Sequence, residues 1–125
     1  MKQEDLKERT IRFALNVTAL CRRLQNDWPQ RRVSDQLFRS ATSVAANYHA
    51  ASRARSRREF QAKLGIVAEE AEETAFWLEF ARRARMIDEQ LALPVCAEAR
   101  ELLAIFIASL KTVAAGMRGS TSIRD

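Results

Sequence analysis

Three glycines, two prolines, two cysteines and a single histidine are all that this 125-residue sequence spends on those residue types. So few glycines and prolines leave little to interrupt a helix, and about half of the chain is apolar, which suits long helices around one core. Cys21 and Cys96 stand apart among apolar neighbours with no Cys-x-x-Cys, so each is expected as a reduced, buried thiol. With one histidine (His49), a conventional zinc site cannot be assembled within one chain, and no metal or cofactor is expected. No run of about 18 apolar residues exists to span a membrane. The opening Met1-Lys2-Gln3-Glu4-Asp5 lacks the apolar core of a signal peptide, which points to the cytoplasm.

Charge is plentiful and unevenly placed. Residues 1–26 hold six cations and three anions, and residues 27–58 hold seven and two. Residues 59–85 reverse the balance with four and six, and residues 86–125 hold four and five. The net +5 therefore belongs to the first half, an asymmetry compatible with an anionic partner.

Apolar spacing predicts four helices, near 5–26, 33–54, 57–85 and 90–117, with a polar tail at 120–125. Leu6, Thr10, Phe13, Val17, Leu20 and Leu24 recur at three and four residues, the mark of one helix face. Trp28-Pro29 reads as the stop after helix 1, with Ser34 as a cap for helix 2. The stripe Leu37, Ala41, Val44, Tyr48 and Ala51 is flanked by small residues, Ser40, Ser43, Ala45, Ala46 and Ala50. Small side chains let a neighbouring backbone approach, so helix 2 is expected at the centre of packing. Ser56 reads as an N-cap with Glu59 in the first turn of helix 3. Phe60, Leu64, Val67, Ala71, Ala75 and Leu78 give the cleanest stripe. Asp88 is a cap for helix 4, Pro94 fits its first turn, and Gly116 and Gly119 are expected to end it. Short connections between such helices force antiparallel neighbours, hence an all-α, up-down-up-down four-helix bundle.

Helix 3 carries Glu69, Glu70, Glu72, Glu73 and Glu79. A di-metal bundle needs carboxylates from several helices and Glu-x-x-His pairs. His49 has Ala46 and Ser52 three residues away, so the cluster reads as a solvated face or as salt bridges to the arginines of helix 2. Phe76, Trp77 and Phe80 lie beside the main stripe, which makes them a candidate oligomer interface. Asn47, a poor helix former in mid-helix, is a candidate structural partner for Glu73. In an antiparallel bundle Arg22, Arg23, Arg31 and Arg32 share one pole with Arg82, Arg83 and Arg85, while Arg53, Arg55, Arg57 and Arg58 occupy the other. Such clusters could hold a nucleic-acid backbone without reading sequence. A solvated basic end is the alternative, and Trp28 is the one aromatic near them suited to base stacking.

The run Phe38-Arg39-Ser40-Ala41-Thr42-Ser43-Val44-Ala45-Ala46-Asn47-Tyr48, then Ser56-Arg57-Arg58-Glu59-Phe60 and Lys63-Leu64, resembles the four-helix bundle proteins of the 23S ribosomal RNA intervening-sequence family. Glu69-Glu70-Ala71-Glu72-Glu73-Thr74-Ala75-Phe76-Trp77-Leu78 carries the same resemblance. The chain departs from many members in having Ala50 and Ala51 where they have an acidic residue and a glycine. The resemblance implies a homo-oligomer, often a pentamer, without known enzymatic activity. It also implies kinship with the accessory protein of diversity-generating retroelements, which binds nucleic acid and a reverse transcriptase.

Three functions are therefore in play. The first is a non-enzymatic homo-oligomer contacting RNA or DNA. The second is a protein-interaction adaptor for a nucleic-acid enzyme such as a reverse transcriptase. The third, a helical ribonuclease with an arginine a few residues before its histidine, is opposed by Thr42, Ser43, Val44 and Ala45 ahead of His49.

Overall fold

A computed structural model describes the backbone of residues 3–124 and the side chains of residues 6–118. It contains four helices and, among the described residues, no strand: α1 (Gln3–Arg23), α2 (Trp28–Ala51), α3 (Arg57–Arg83) and α4 (Glu89–Arg124). The α2–α3 and α3–α4 contacts are the most extensive, α1 rests chiefly on α2, and the α1–α4 seam is thin. This is the antiparallel four-helix bundle that the apolar spacing predicts. Among the described residues no helix is long and apolar enough to cross a membrane.

The stripes meet at the centre. Every stripe residue of α1, from Leu6 to Leu20, is buried, as are Leu24 just past its end and Leu37, Ala41, Val44, Tyr48 and Ala51 of α2. Phe13 and Phe106 are the largest fully buried side chains, and Tyr48 leans on Phe106 with ring centroids 5.8 Å apart. Each large core side chain would cost roughly 3–5 kcal/mol to truncate to alanine. On α4 the stripe holds through Ala99, Leu102 and Phe106, after which Leu110, Val113 and Met117 are only half-buried.

Element ends differ from expectation at several points: α1 stops at Arg23 rather than near residue 26, and α2 at Ala51 rather than near residue 54. α2 starts at Trp28 with Asp27 in the N-cap position and Pro29 in the first turn, not at Ser34. A proline there gives up only an N–H that no helical carbonyl would have received. Pro94 stands in the second turn of α4, not its first. Its missing N–H leaves the carbonyl of exposed Gln90 to water. α4 also runs through Gly116 and Gly119 to Arg124, because glycine weakens a helix by about 1 kcal/mol without forbidding it. The expected polar tail at 120–125 is thus helical to Arg124, and its side chains lie outside the described residues. The other caps form as expected: Glu59 N–H donates to Ser56 Oγ at 3.1 Å, and Gln90 N–H to Asp88 Oδ1 at 3.1 Å.

Candidate functional site

The topology gathers the arginines at the two ends. α1 ends and α2 begins at the pole where α3 ends, which brings Arg22, Arg23, Arg31 and Arg32 to the same end as Arg82, Arg83 and Arg85. Arg53, Arg55, Arg57 and Arg58 sit at the α2–α3 corner of the opposite pole. All of these except Arg82 are exposed.

Pairing separates the cations into two kinds. Arg9 bonds Glu98 through two nitrogens, at 2.6 and 2.7 Å, and Glu101 at 3.0 Å, clamping α1 to α4 with its guanidinium largely covered. Arg39 binds Glu73 and Glu70, joining α2 to α3. That ion pair holds the Glu73 carboxyl below the usual carboxylate range, chiefly by the hydrogen bond from Arg39. Arg82 is held by Glu79 at 2.6 Å and Glu89 at 2.8 Å across the α3–α4 corner, which removes it from the free cations of its pole. Arg22, Arg23, Arg31, Arg32, Arg53, Arg55, Arg58, Arg83 and Arg85 make no ion pair among the described residues. Arg57 forms none either, and its Nη1 reaches only the Gly116 carbonyl, at 3.5 Å.

The proposed Asn47–Glu73 pair does not form. Asn47 Nδ2 donates within its own helix to the Ser43 carbonyl at 2.9 Å. Glu73 instead accepts from Arg39 and, at 3.4 Å, from the Trp77 indole. The register explains it: Ser40 faces Thr74 across the α2–α3 interface, so Asn47 lies about two turns, roughly 10 Å, away along the helix from that level. The buried polar link between these helices is the Ser40–Thr74 hydroxyl pair, 2.8 Å apart with both residues fully buried. The sequence offered Ser40 only as a small residue; its hydroxyl was the unread signal.

Phe76, Trp77 and Phe80 form one aromatic cluster, with Trp77 edge-on to Phe76 at 5.0 Å and to Phe80 at 5.8 Å. Trp77 is half-buried against the core, whereas Phe76 and Phe80 are exposed. An open groove of about 480 Å³ between α3 and α4 begins at Phe76 and includes Leu93 and Cys96.

The reactive side chains are quiet. Burial pushes both thiols up from their ordinary value; Cys96 is buried, while Cys21 is half-buried with Sγ 3.6 Å from the Ser34 carbonyl. His49 Nε2 is covered and has no hydrogen-bond partner among the described residues. Among those residues no group of three or more His, Cys, Asp or Glu is placed to hold a metal ion.

Residues 2–108 match the sequence profile of the 23S rRNA-intervening sequence protein family. A crystal structure of a protein of unknown function from the S23 ribosomal protein family of Bacteroides thetaiotaomicron superposes with a TM-score of 0.80 at 32% identity. The alignment covers 89% of this chain and 99% of that one. No curated protein matches. The fold, the profile and the 32% identity agree: the chain belongs to the 23S rRNA-intervening sequence protein family.

Proposed function

We propose that this chain is a non-catalytic subunit of a cytoplasmic homo-oligomer, a pentameric ring, whose arginine-rich poles hold RNA or DNA by its phosphates. The observation that carries the reading is the division of cations described above. On the flanks Arg9 and Arg39 are engaged by carboxylates, although Arg12 and Arg100 are not; at the poles every arginine but Arg82 is exposed and makes no ion pair among the described residues. Exposed guanidinium groups side by side bind phosphate in a bidentate fashion and release counterions when they do so. Trp28, 71% exposed beside Arg31 and Arg32, supplies a surface on which an unpaired base can stack. The contacts are to backbone, so sequence preference is weak.

Electrophoretic mobility with single-stranded RNA at low and moderate salt tests this. Binding weakens with salt. Changing Arg53, Arg55, Arg57 and Arg58 together to alanine lowers the slope of log affinity against log salt by about three, from roughly 0.7–0.9 per phosphate contact. Salt-insensitive binding, or an unchanged slope in the variant, would refute the role of that pole. Co-purification of a protein partner without nuclease-sensitive material would favour the adaptor reading instead.

A further inference from the structure

We propose that the pole bearing Trp28 favours unpaired strands over duplex, with Trp28 as the residue that sets the preference. The inference rests on the phosphate binding proposed above and gives the two poles different parts in it. Trp28 is the most exposed large apolar side chain among the described residues, at 71%. It opens α2, directly after Asp27 in the N-cap position and before Pro29, so its backbone belongs to a helix while its indole stands in water. Arg31 and Arg32 follow at three and four residues, on the same helical face. Both are exposed without an ion pair among the described residues. One rigid element thus carries an aromatic ring beside two groups shaped to fork a phosphate.

Every described cation of this pole is an arginine. Arg22, Arg23, Arg83 and Arg85 join Arg31 and Arg32, and no described lysine lies at this end. A guanidinium plane can lie on a base as well as fork a phosphate, which an ammonium cannot do. Arg85 occupies a left-handed position at φ 60°, where glycine is favoured, so the pole keeps a cation there at some cost in stability. Asp27, Asp35 and Asp88 are the opposing carboxylates, since Glu79 and Glu89 are taken up by Arg82. The uncommitted guanidiniums outnumber them.

The opposite pole lacks a stacking ring. Near Arg53, Arg55, Arg57 and Arg58, Tyr48 is buried and Phe60 packs against the core. That pole offers guanidinium groups alone, and phosphates are common to paired and unpaired strands. In a duplex the bases lie stacked on one another and do not reach Trp28. An unpaired strand can lay a base on the indole and a neighbouring phosphate on Arg31 or Arg32. The discrimination is therefore not ionic, and it belongs to one pole.

Electrophoretic mobility with an unstructured RNA oligonucleotide, and with the duplex it forms with its complement, tests the assignment. Trp28→Ala is expected to weaken single-strand binding at least about fivefold, the lower end for one stacked base. Its salt slope stays that of the parent, and duplex binding is unchanged. Trp28→Phe recovers most of the loss, because a smaller ring still stacks. Changing Arg53, Arg55, Arg57 and Arg58 to alanine instead weakens both forms and leaves the effect of Trp28 intact. In a Trp77→Phe chain, where Trp28 is the one tryptophan left, the single strand quenches the indole emission and the duplex does not. Circular dichroism and light scattering verify that Trp28→Ala keeps its helicity and its mass. Should helicity be lost, the quenching decides, and its absence overturns the proposal. Equal losses on both forms, no loss on the single strand, or a lower assembled mass, which would put the indole between copies, overturn the role of Trp28 while phosphate binding stands. Salt-insensitive binding of both forms by the parent chain would instead overturn the phosphate reading beneath it.

Discussion

Ser40 and Thr74 show how a hydroxyl pair is kept dry. Thr74 Oγ1 lies 2.8 Å from Ser40 Oγ and 2.7 Å from the Glu70 carbonyl, and Ser40 Oγ lies 3.4 Å from the Leu37 carbonyl. Each oxygen thus has a partner where water does not reach. Removing Thr74 Oγ1 leaves Ser40 Oγ with only its long bond to the Leu37 carbonyl and no donor to accept from, which costs about 1–2 kcal/mol, whereas removing both is close to neutral. Thr74→Val is therefore expected to lower unfolding stability by about 1–2 kcal/mol. Adding Ser40→Ala should recover most of that loss. Urea denaturation of the two singles and the double is the measurement, and simple additivity would show that the hydroxyls do not act as a pair.

At the scale of the element, the end of α3 carries the one non-glycine residue of positive φ among the described residues. Met86 N–H bonds to the Ala81 carbonyl and Arg85 N–H to the Arg82 carbonyl, the double closure of a Schellman motif. Its left-handed position, which favours glycine, is filled by Arg85 at φ 60°. A non-glycine residue there costs about 1–2 kcal/mol. Arg85→Gly should accordingly raise the thermal midpoint, by about 1 kcal/mol of stability, and remove a free cation from its pole. Cap and stripe are the parts of an element that sequence makes legible, because both are local: Ser56 with Glu59, Asp88, and the spacing of Leu64, Val67 and Leu78 needed no neighbour to be read. The starts of α2 and α4 were less so, since a proline can end one helix or open the next, and only the packed chain decides. The partners across interfaces were the least legible. A stripe is unchanged when one helix slides a turn along another, so the Asn47–Glu73 and Ser40–Thr74 registers look alike until the side chains interlock. That the arginines gather at two poles follows from topology alone, yet the capture of Arg82 by Glu79 and Glu89 required the corner to be built.

For the whole molecule, the proposed assembly and the proposed nucleic-acid binding would reinforce one another. A ring would repeat each pole once per subunit, so a strand bound by one copy would meet the next at high local concentration. Chain diluted until light scattering reads the monomer keeps every polar arginine. It should nonetheless bind a long RNA at least about tenfold more weakly than the assembled chain, while binding to an oligonucleotide short enough for one subunit is not reduced. Titration with the two lengths separates avidity from charge. The thin α1–α4 seam has a kinetic counterpart. Every other interface joins helices adjacent in sequence through connections of four or five residues, which form early. The Arg9–Glu98 clamp spans 89 positions and cannot close until α4 exists. A chain growing from its N-terminus can therefore build the α1–α2–α3 sheaf first and shut the barrel with its last helix, so that fast, local folding ends in one long-range step.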